Sequence, residues 1–153
     1  MRVALGADHA GYELKEEVRR SLDARHVAYE DFGTHSLDAV DYPVYAARVA
    51  EAVTSGACDR GILICGTGIG MAIAANRFAG IRAASISDLA SARLGRAHNN
   101  INVLTLGGRL TPVDRALKIV AIFLDTPFEA GRHQHRLDLV AGFEPHATGH
   151  VGR

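Results

Sequence analysis

The chain has 153 residues, 48% of them hydrophobic and 22% charged, which suits one globular domain with its own core rather than a disordered or fibrous chain. Seventeen basic residues balance seventeen acidic ones, and no apolar run approaches the roughly 18 residues of a membrane span, so neither nucleic acid nor a membrane is expected as a partner. The two cysteines, Cys58 and Cys65, lack a C-x-x-C spacing, and a domain of this size buries roughly 70% of its unfolded surface without needing a disulfide or a structural metal.

In chain order, Arg2–Gly6 reads as a strand with no charged-then-apolar signal segment ahead of it, which makes the cytosol the expected compartment. Tyr12–Arg25 is predicted to be a helix with Leu14, Val18 and Leu22 on one face, and Val27–Phe32 a weaker strand. Asp41 is placed to cap a helix that carries Pro43 in its first turn and runs to about Ser55. Ile62–Cys65 is a third strand, followed beyond a glycine loop by a helix from Met71 to Asn76. Arg82–Ile86 is a fourth strand, Asp88–Ala97 a helix, Val103–Leu106 a fifth strand and Pro112–Leu124 a helix ending near Pro127. A last helix covers about Arg132 to Phe143. Residues 1–144 are expected to form a single domain, with the polar segment 145–153 as a loosely ordered tail.

Strand and helix alternating five times predict an α/β fold, a Rossmann-like three-layer sandwich with a five-stranded parallel sheet and helices on both faces. Ligands of such sheets bind outside the carboxyl ends of the strands. The residues just past those ends are Asp8 and His9, Cys65 and the glycine loop, Ser87 and Asp88, and Gly107-Gly108-Arg109.

The third of these turns carries the most information. Cys65-Gly66-Thr67-Gly68-Ile69-Gly70 sets a thiol before three glycines in five residues. Glycines at alternate positions let successive amides face one concavity, a nest for negative charge, and the helix start beyond adds unpaired donors. A thiolate is stabilised in such a setting, so Cys65 is a candidate base or nucleophile beside an anion-stabilising pocket. The P-loop pattern is excluded because no lysine follows the glycines, and the dinucleotide fingerprint because position 71 is Met.

Other candidates carry a plainer reading beside the functional one. Asp8 could simply cap the first helix. His98, with Asn99 and Asn100, ends a helix, where a histidine can sit against the dipole. Arg132 and Arg136, four apart, share one helix face and suit a phosphate clamp, or else form a solvated basic surface. His133 and His135 point away from each other on a helix, which disfavours an H-x-H metal site. Cys58 lies in a polar turn and is read as inert, and Tyr42 could belong to the core or to the site.

Taken together, Gly-Ala-Asp8-His9-Ala-Gly, Asp41-Tyr42-Pro43, Ile-Cys65-Gly66-Thr67-Gly68-Ile69-Gly70, Ile-Ala-Ala-Asn76-Arg, His98-Asn99, Gly-Gly-Arg109 and Gly131-Arg132-His-Gln-His-Arg136 resemble the ribose-5-phosphate isomerase type B family. That family includes the galactose-6-phosphate isomerase subunits and related tetrose, pentose and hexose phosphate isomerases. The resemblance runs from about residue 2 to 143. It implies an aldose–ketose isomerase, most simply of ribose 5-phosphate and ribulose 5-phosphate, working through an enediolate with no cofactor and no metal. The rivals are isomerisation of a four-carbon or six-carbon phosphosugar and a non-catalytic sugar-phosphate-binding subunit.

By the same resemblance Cys65 is the base between C1 and C2, and Gly66, Thr67, Gly68, Ile69 and Gly70 hold the enediolate. Asp8 and His98 assist ring opening. His9, Arg109, Arg132 and Arg136 take the phosphate, while Tyr42 and Asn99 contact the sugar. One branch of the family uses a glutamate just after the glycine loop; Met71 stands there in this chain, which places it in the cysteine branch. The resemblance further implies a homodimer or homotetramer with sites shared between subunits.

Overall fold

A computed structural model describes residues 1–143. The proposed tail at 145–153, and the last residue of the expected domain, lie outside the described residues. Five strands, β1 (Arg2–Ala7), β2 (Ala28–Asp31), β3 (Arg60–Cys65), β4 (Ala83–Ser85) and β5 (Val103–Gly107), form one parallel sheet in the order β2-β1-β3-β5-β4. Six helices alternate with them: α1 (Tyr12–Ala24), α2 (Tyr42–Thr54), α3 (Ile69–Ala75), α4 (Leu89–Asn99), α5 (Val113–Asp125) and α6 (Arg132–Ala141). The predicted α/β sandwich is the observed architecture.

Strand alternation sorts the core into two layers. Val3, Leu5, Ile62, Ile64, Leu104 and Leu106 face Leu14, Val18 and Leu22 of α1, Ala92 of α4 and Ile119, Val120 and Phe123 of α5. Ala4, Leu63, Cys65 and Val103 face Ala46, Val49 and Ala50 of α2 and Met71 and Ala75 of α3. Gly61 lets α2 settle onto the sheet, since a Cβ there would stand 2.6 Å from the Val49 side chain.

Several predicted boundaries shift for local reasons. The third helix starts at Ile69, two residues early, because Gly68 takes the left-handed φ of 80° that turns the chain into it. Asp41 occupies the N-cap position of α2 with Pro43 in the first turn, but its side chain makes no capping bond. β4 is only three residues long. On its outer edge the Asn76 side chain takes the place of a further strand: its Oδ1 accepts from Ala83 N–H at 2.8 Å and its Nδ2 donates to Ala83 O at 2.9 Å.

Lys15 lies beside the apolar stripe of α1 and is completely buried. Its ammonium donates to the Asp31 carboxylate and, at 3.3 Å, to Glu16. Asp31 also accepts the Gly33 N–H at 2.9 Å. The backbone of Gly33 and Thr34 then brackets Ala7, each bond being 2.6 Å. A buried ion pair thus fixes the strap along the carboxyl end of β1.

Candidate functional site

At the carboxyl ends of β1, β3 and β5 three turns meet backbone to backbone. A Cβ at Gly107 would stand 2.9 Å from Thr67 O, and one at Gly108 2.7 Å from Ala10 O. No side chain larger than hydrogen fits at either point, so the chain after β5 lies directly against the other two turns. Gly108 N–H donates to Cys65 O at 2.7 Å and Arg109 N–H to Gly66 O at 3.1 Å.

Cys65 ends β3, buried, and its Sγ accepts the Gly68 N–H at 3.2 Å. Ile69 N–H turns to Thr67 Oγ1 at 3.3 Å. The glycine turn is therefore not wholly an open nest, because two of its amides serve the thiol and the threonine. The amides of Gly70 and Met71, in the first turn of α3, have no intrahelical acceptor by helix geometry. Tyr42, at the start of α2, lies across this turn: a Cβ on Gly70 would stand 2.8 Å from its ring. Arg109 lies over Gly66, within 3.3 Å of where a Cβ would be.

Asp8 and His9 join the same group. The Asp8 carboxylate accepts from Ala10 N–H at 3.0 Å and Gly11 N–H at 3.1 Å. It closes the turn ahead of α1, whose N-cap is Gly11, so Asp8 is not itself the helix cap. His9 Nδ1 accepts the Val40 N–H at 3.2 Å, which leaves Nε2 as the protonated nitrogen of the neutral ring. Asp88 does cap α4, accepting from Ser91 N–H at 2.8 Å and Ser91 Oγ at 2.6 Å. Those bonds hold its carboxyl below the usual range and account for Asp88 structurally.

The remaining candidates are elsewhere. α4 starts past the carboxyl end of β4 and runs back along the sheet, so His98 and Asn99 lie at its amino-terminal end. Asn100 terminates the helix with a left-handed φ of 47°. Asn102 N–H, bonded to Arg82 O at 3.1 Å, ties this turn to the start of β4. The chain before α6 joins here through Glu129 N–H to Ala97 O at 3.0 Å, bringing Arg132 and Arg136, both exposed, to the same end. Neither arginine has an ion pair among the described residues. A single chain therefore holds two groups at opposite ends of the sheet: Asp8, His9, Tyr42, Cys65 to Gly70 and Arg109 at one, His98, Asn99, Arg132 and Arg136 at the other.

The profile of the family described as Ribose/Galactose Isomerase matches residues 3–140. The chain belongs to this family. Over 143 residues the isomerase is 48% identical to the ribose-5-phosphate isomerase B of Escherichia coli (strain K12), covering 94% of this chain and 96% of that one. It is 43% identical over 146 residues to a ribose-5-phosphate isomerase B of Mycobacterium leprae, covering 94% and 90%. Among solved structures, the Clostridium thermocellum ribose-5-phosphate isomerase B superposes with a TM-score of 0.93 at 48% identity, over 94% of this chain and 97% of that one. The Mycoplasma genitalium enzyme, solved with bound ribulose-5-phosphate, gives 0.90 at 39% identity, over 94% and 95%.

Two residues of this isomerase, Glu129 and His133, stand out in the structure and carry no motif of their own in the sequence. In the structure His135 is exposed, whereas His133 is buried and stacks on His98. The available signal was position: on a helix that shows one face inward, residue 133 and residue 135 cannot both be buried. The Cys58 thiol is pushed up by burial, in keeping with an inert role. No helix among the described residues is long and apolar enough to cross a membrane.

Proposed function

We propose that this isomerase interconverts ribose 5-phosphate and ribulose 5-phosphate in the cytosol, as a homodimer or a homotetramer built from such dimers. Each site joins the Cys65 end of one copy to the His98 end of another. The observation that carries the chemistry is the Gly68 N–H directed at Cys65 Sγ from 3.2 Å, which supports a thiolate where the strand meets the glycine turn. In the open-chain aldose the thiolate takes the proton from C2. The electron pair moves through the carbonyl, giving a 1,2-enediolate whose oxygen charge the free amides of the turn accept. Return of the proton to C1, with the hydroxyl proton passing from O2 to O1 as the C2 carbonyl forms, gives the ketose. Atoms and electrons balance within the sugar, so the reaction calls for no external oxidant or reductant.

Arg109 and His9 of one copy, with Arg132 and Arg136 of the other, supply donors for the terminal phosphate, and Asn99 and Tyr42 reach the sugar hydroxyls. Guanidinium groups four residues apart on α6 suit a phosphate geometrically. Binding energy from that remote group holds C1 and C2 against Sγ. The test is turnover of ribose 5-phosphate by Cys65→Ala and Cys58→Ala proteins with matched far-UV spectra. Cys65→Ala is expected to bind substrate and lose at least about a thousandfold in kcat, a loss typical of removing a reacting group. Near-normal turnover by folded Cys65→Ala protein overturns the assignment.

A further inference from the structure

Glu129 and His133 take no part in the chemistry above, yet they enclose His98. The two imidazoles stack with centroids 4.1 Å apart and planes 10° from parallel. His98 Nε2 and His133 Nε2 lie 3.7 and 3.8 Å from the same oxygen, Glu129 Oε2. His133 Nε2 is buried and has no hydrogen-bond partner among the described residues. Two histidines and a carboxylate with their ligand atoms within 4.8 Å of one another first suggest a metal. The ring geometry opposes it. An ion bound by both rings must lie close to both ring planes, and stacked parallel planes share no such position. Arg132 and Arg136, on the same helix as His133, add positive charge against a cation.

The arrangement suits a proton better than a metal. Burial pushes His133 toward its neutral form; His98, Arg132 and Arg136 act in the same direction and Glu129 opposes them. With His133 neutral, the single carboxylate is left to His98, the more exposed ring. Of the charged and titratable groups around the stacked pair, Glu129 lies ahead of α6, and Arg132, His133 and Arg136 lie on it.

We propose that Glu129 and His133 are positioning residues for His98: the carboxylate faces His98 Nε2 from 3.7 Å, the buried His133 ring fixes the plane of its neighbour, and His98 Nδ1 is presented outward as a base for opening the sugar ring. The inference rests on the reading of His98 as a ring-opening group. In that step Nδ1 takes the proton of the C1 hydroxyl, the bond from C1 to the ring oxygen breaks as the C1 carbonyl forms, and the ring oxygen takes a proton from water. The Glu129 carboxylate stabilises the imidazolium until it returns its proton to solvent.

An aldose that cannot cyclise separates this role from general damage. Ribose 5-phosphate reaches the enzyme mostly as a closed ring. 4-Deoxyribose 5-phosphate stays open, because it lacks the hydroxyl that closes the five-membered ring and its O5 carries the phosphate. Glu129→Gln keeps the size of an exposed side chain and removes its charge. It is expected to lower kcat/KM on ribose 5-phosphate by about tenfold, with at least about a fivefold smaller loss on 4-deoxyribose 5-phosphate. His133→Ala should show the same preference for the open sugar, and His133→Phe, which restores a stacking ring, should recover part of the loss. If His98→Ala turns over ribose 5-phosphate normally, the role of His98 fails and this inference with it. If His98→Ala is crippled while Glu129→Gln keeps the wild-type rate, or loses equally on the closed and the open sugar, the inference alone is overturned.

Discussion

Mixing two inactive variants tests whether the two ends of the sheet meet across an interface. The eleven residues of α4 rise about 16 Å from the carboxyl end of the sheet toward the other. An open pentose phosphate spans roughly 8 Å from C1 to phosphorus, from bond lengths near 1.5 Å. One sugar therefore cannot touch Cys65 and Arg132 of the same chain. Combine Cys65→Ala with Arg132→Ala protein in equal amounts, dissociate them in mild denaturant, and let them reassociate. In a twofold assembly half of the dimers are hybrids, and each hybrid has one site with both defects and one with neither. About a quarter of wild-type activity per site should return. The assay is initial-rate formation of ribulose 5-phosphate, with mass spectrometry of differently tagged chains to show the exchange. No recovery after verified exchange would place both residues in one chain's site and refute the geometric reasoning. A monomeric mass would refute the assembly itself.

Other perturbations have equally definite outcomes. Lys15→Met leaves Asp31 without its buried partner and should destabilise the fold by about 3 kcal/mol, read as a lower urea midpoint at unchanged slope; a loss below about 1 kcal/mol would mean that the pair contributes little. His133 is held below the ordinary histidine value of 6.5 by burial first, so on acidification the unfolded chain takes up the proton before the folded one does. Stability should therefore fall as the pH drops through about 6.5 and level off below the folded value. His133→Phe should lose that part of the acid sensitivity, as measured by thermal unfolding across pH. Across tetrose, pentose and hexose phosphates, kcat/KM should favour ribose 5-phosphate, and a tenfold preference for another sugar, about 1.4 kcal/mol in transition-state stabilisation, would reassign the substrate.

Much of this organisation is legible in the chain because it is local. Alternating apolar runs and helical periods define the layers, and the glycines after Cys65 mark a turn that only close backbone approach explains. The internal use of that turn's amides is not legible, because whether Gly68 N–H faces a ligand or Cys65 Sγ depends on a single φ. Nor is Lys15. A lysine next to Leu14 on an amphipathic helix reads as a solvated edge, and its burial depends on Asp31 arriving from the end of β2. Glu129 and His133 meet His98 across more than thirty residues, with no periodicity to link them. The separation of the two candidate groups was within reach of the alternation itself. A helix that follows a parallel strand ends where the strands begin, so residues that close helices and residues that close strands face opposite ways.

Asn76 has a consequence for how copies of this chain can meet. By occupying both the N–H and the C=O of Ala83 it shortens the template that this border offers. A neighbouring strand could not pair at that residue, which blunts the route by which exposed edges recruit partners into open-ended aggregates. One side-chain amide on the turn after a seven-residue helix thus stands in for a strand at the β4 border of a small parallel sheet.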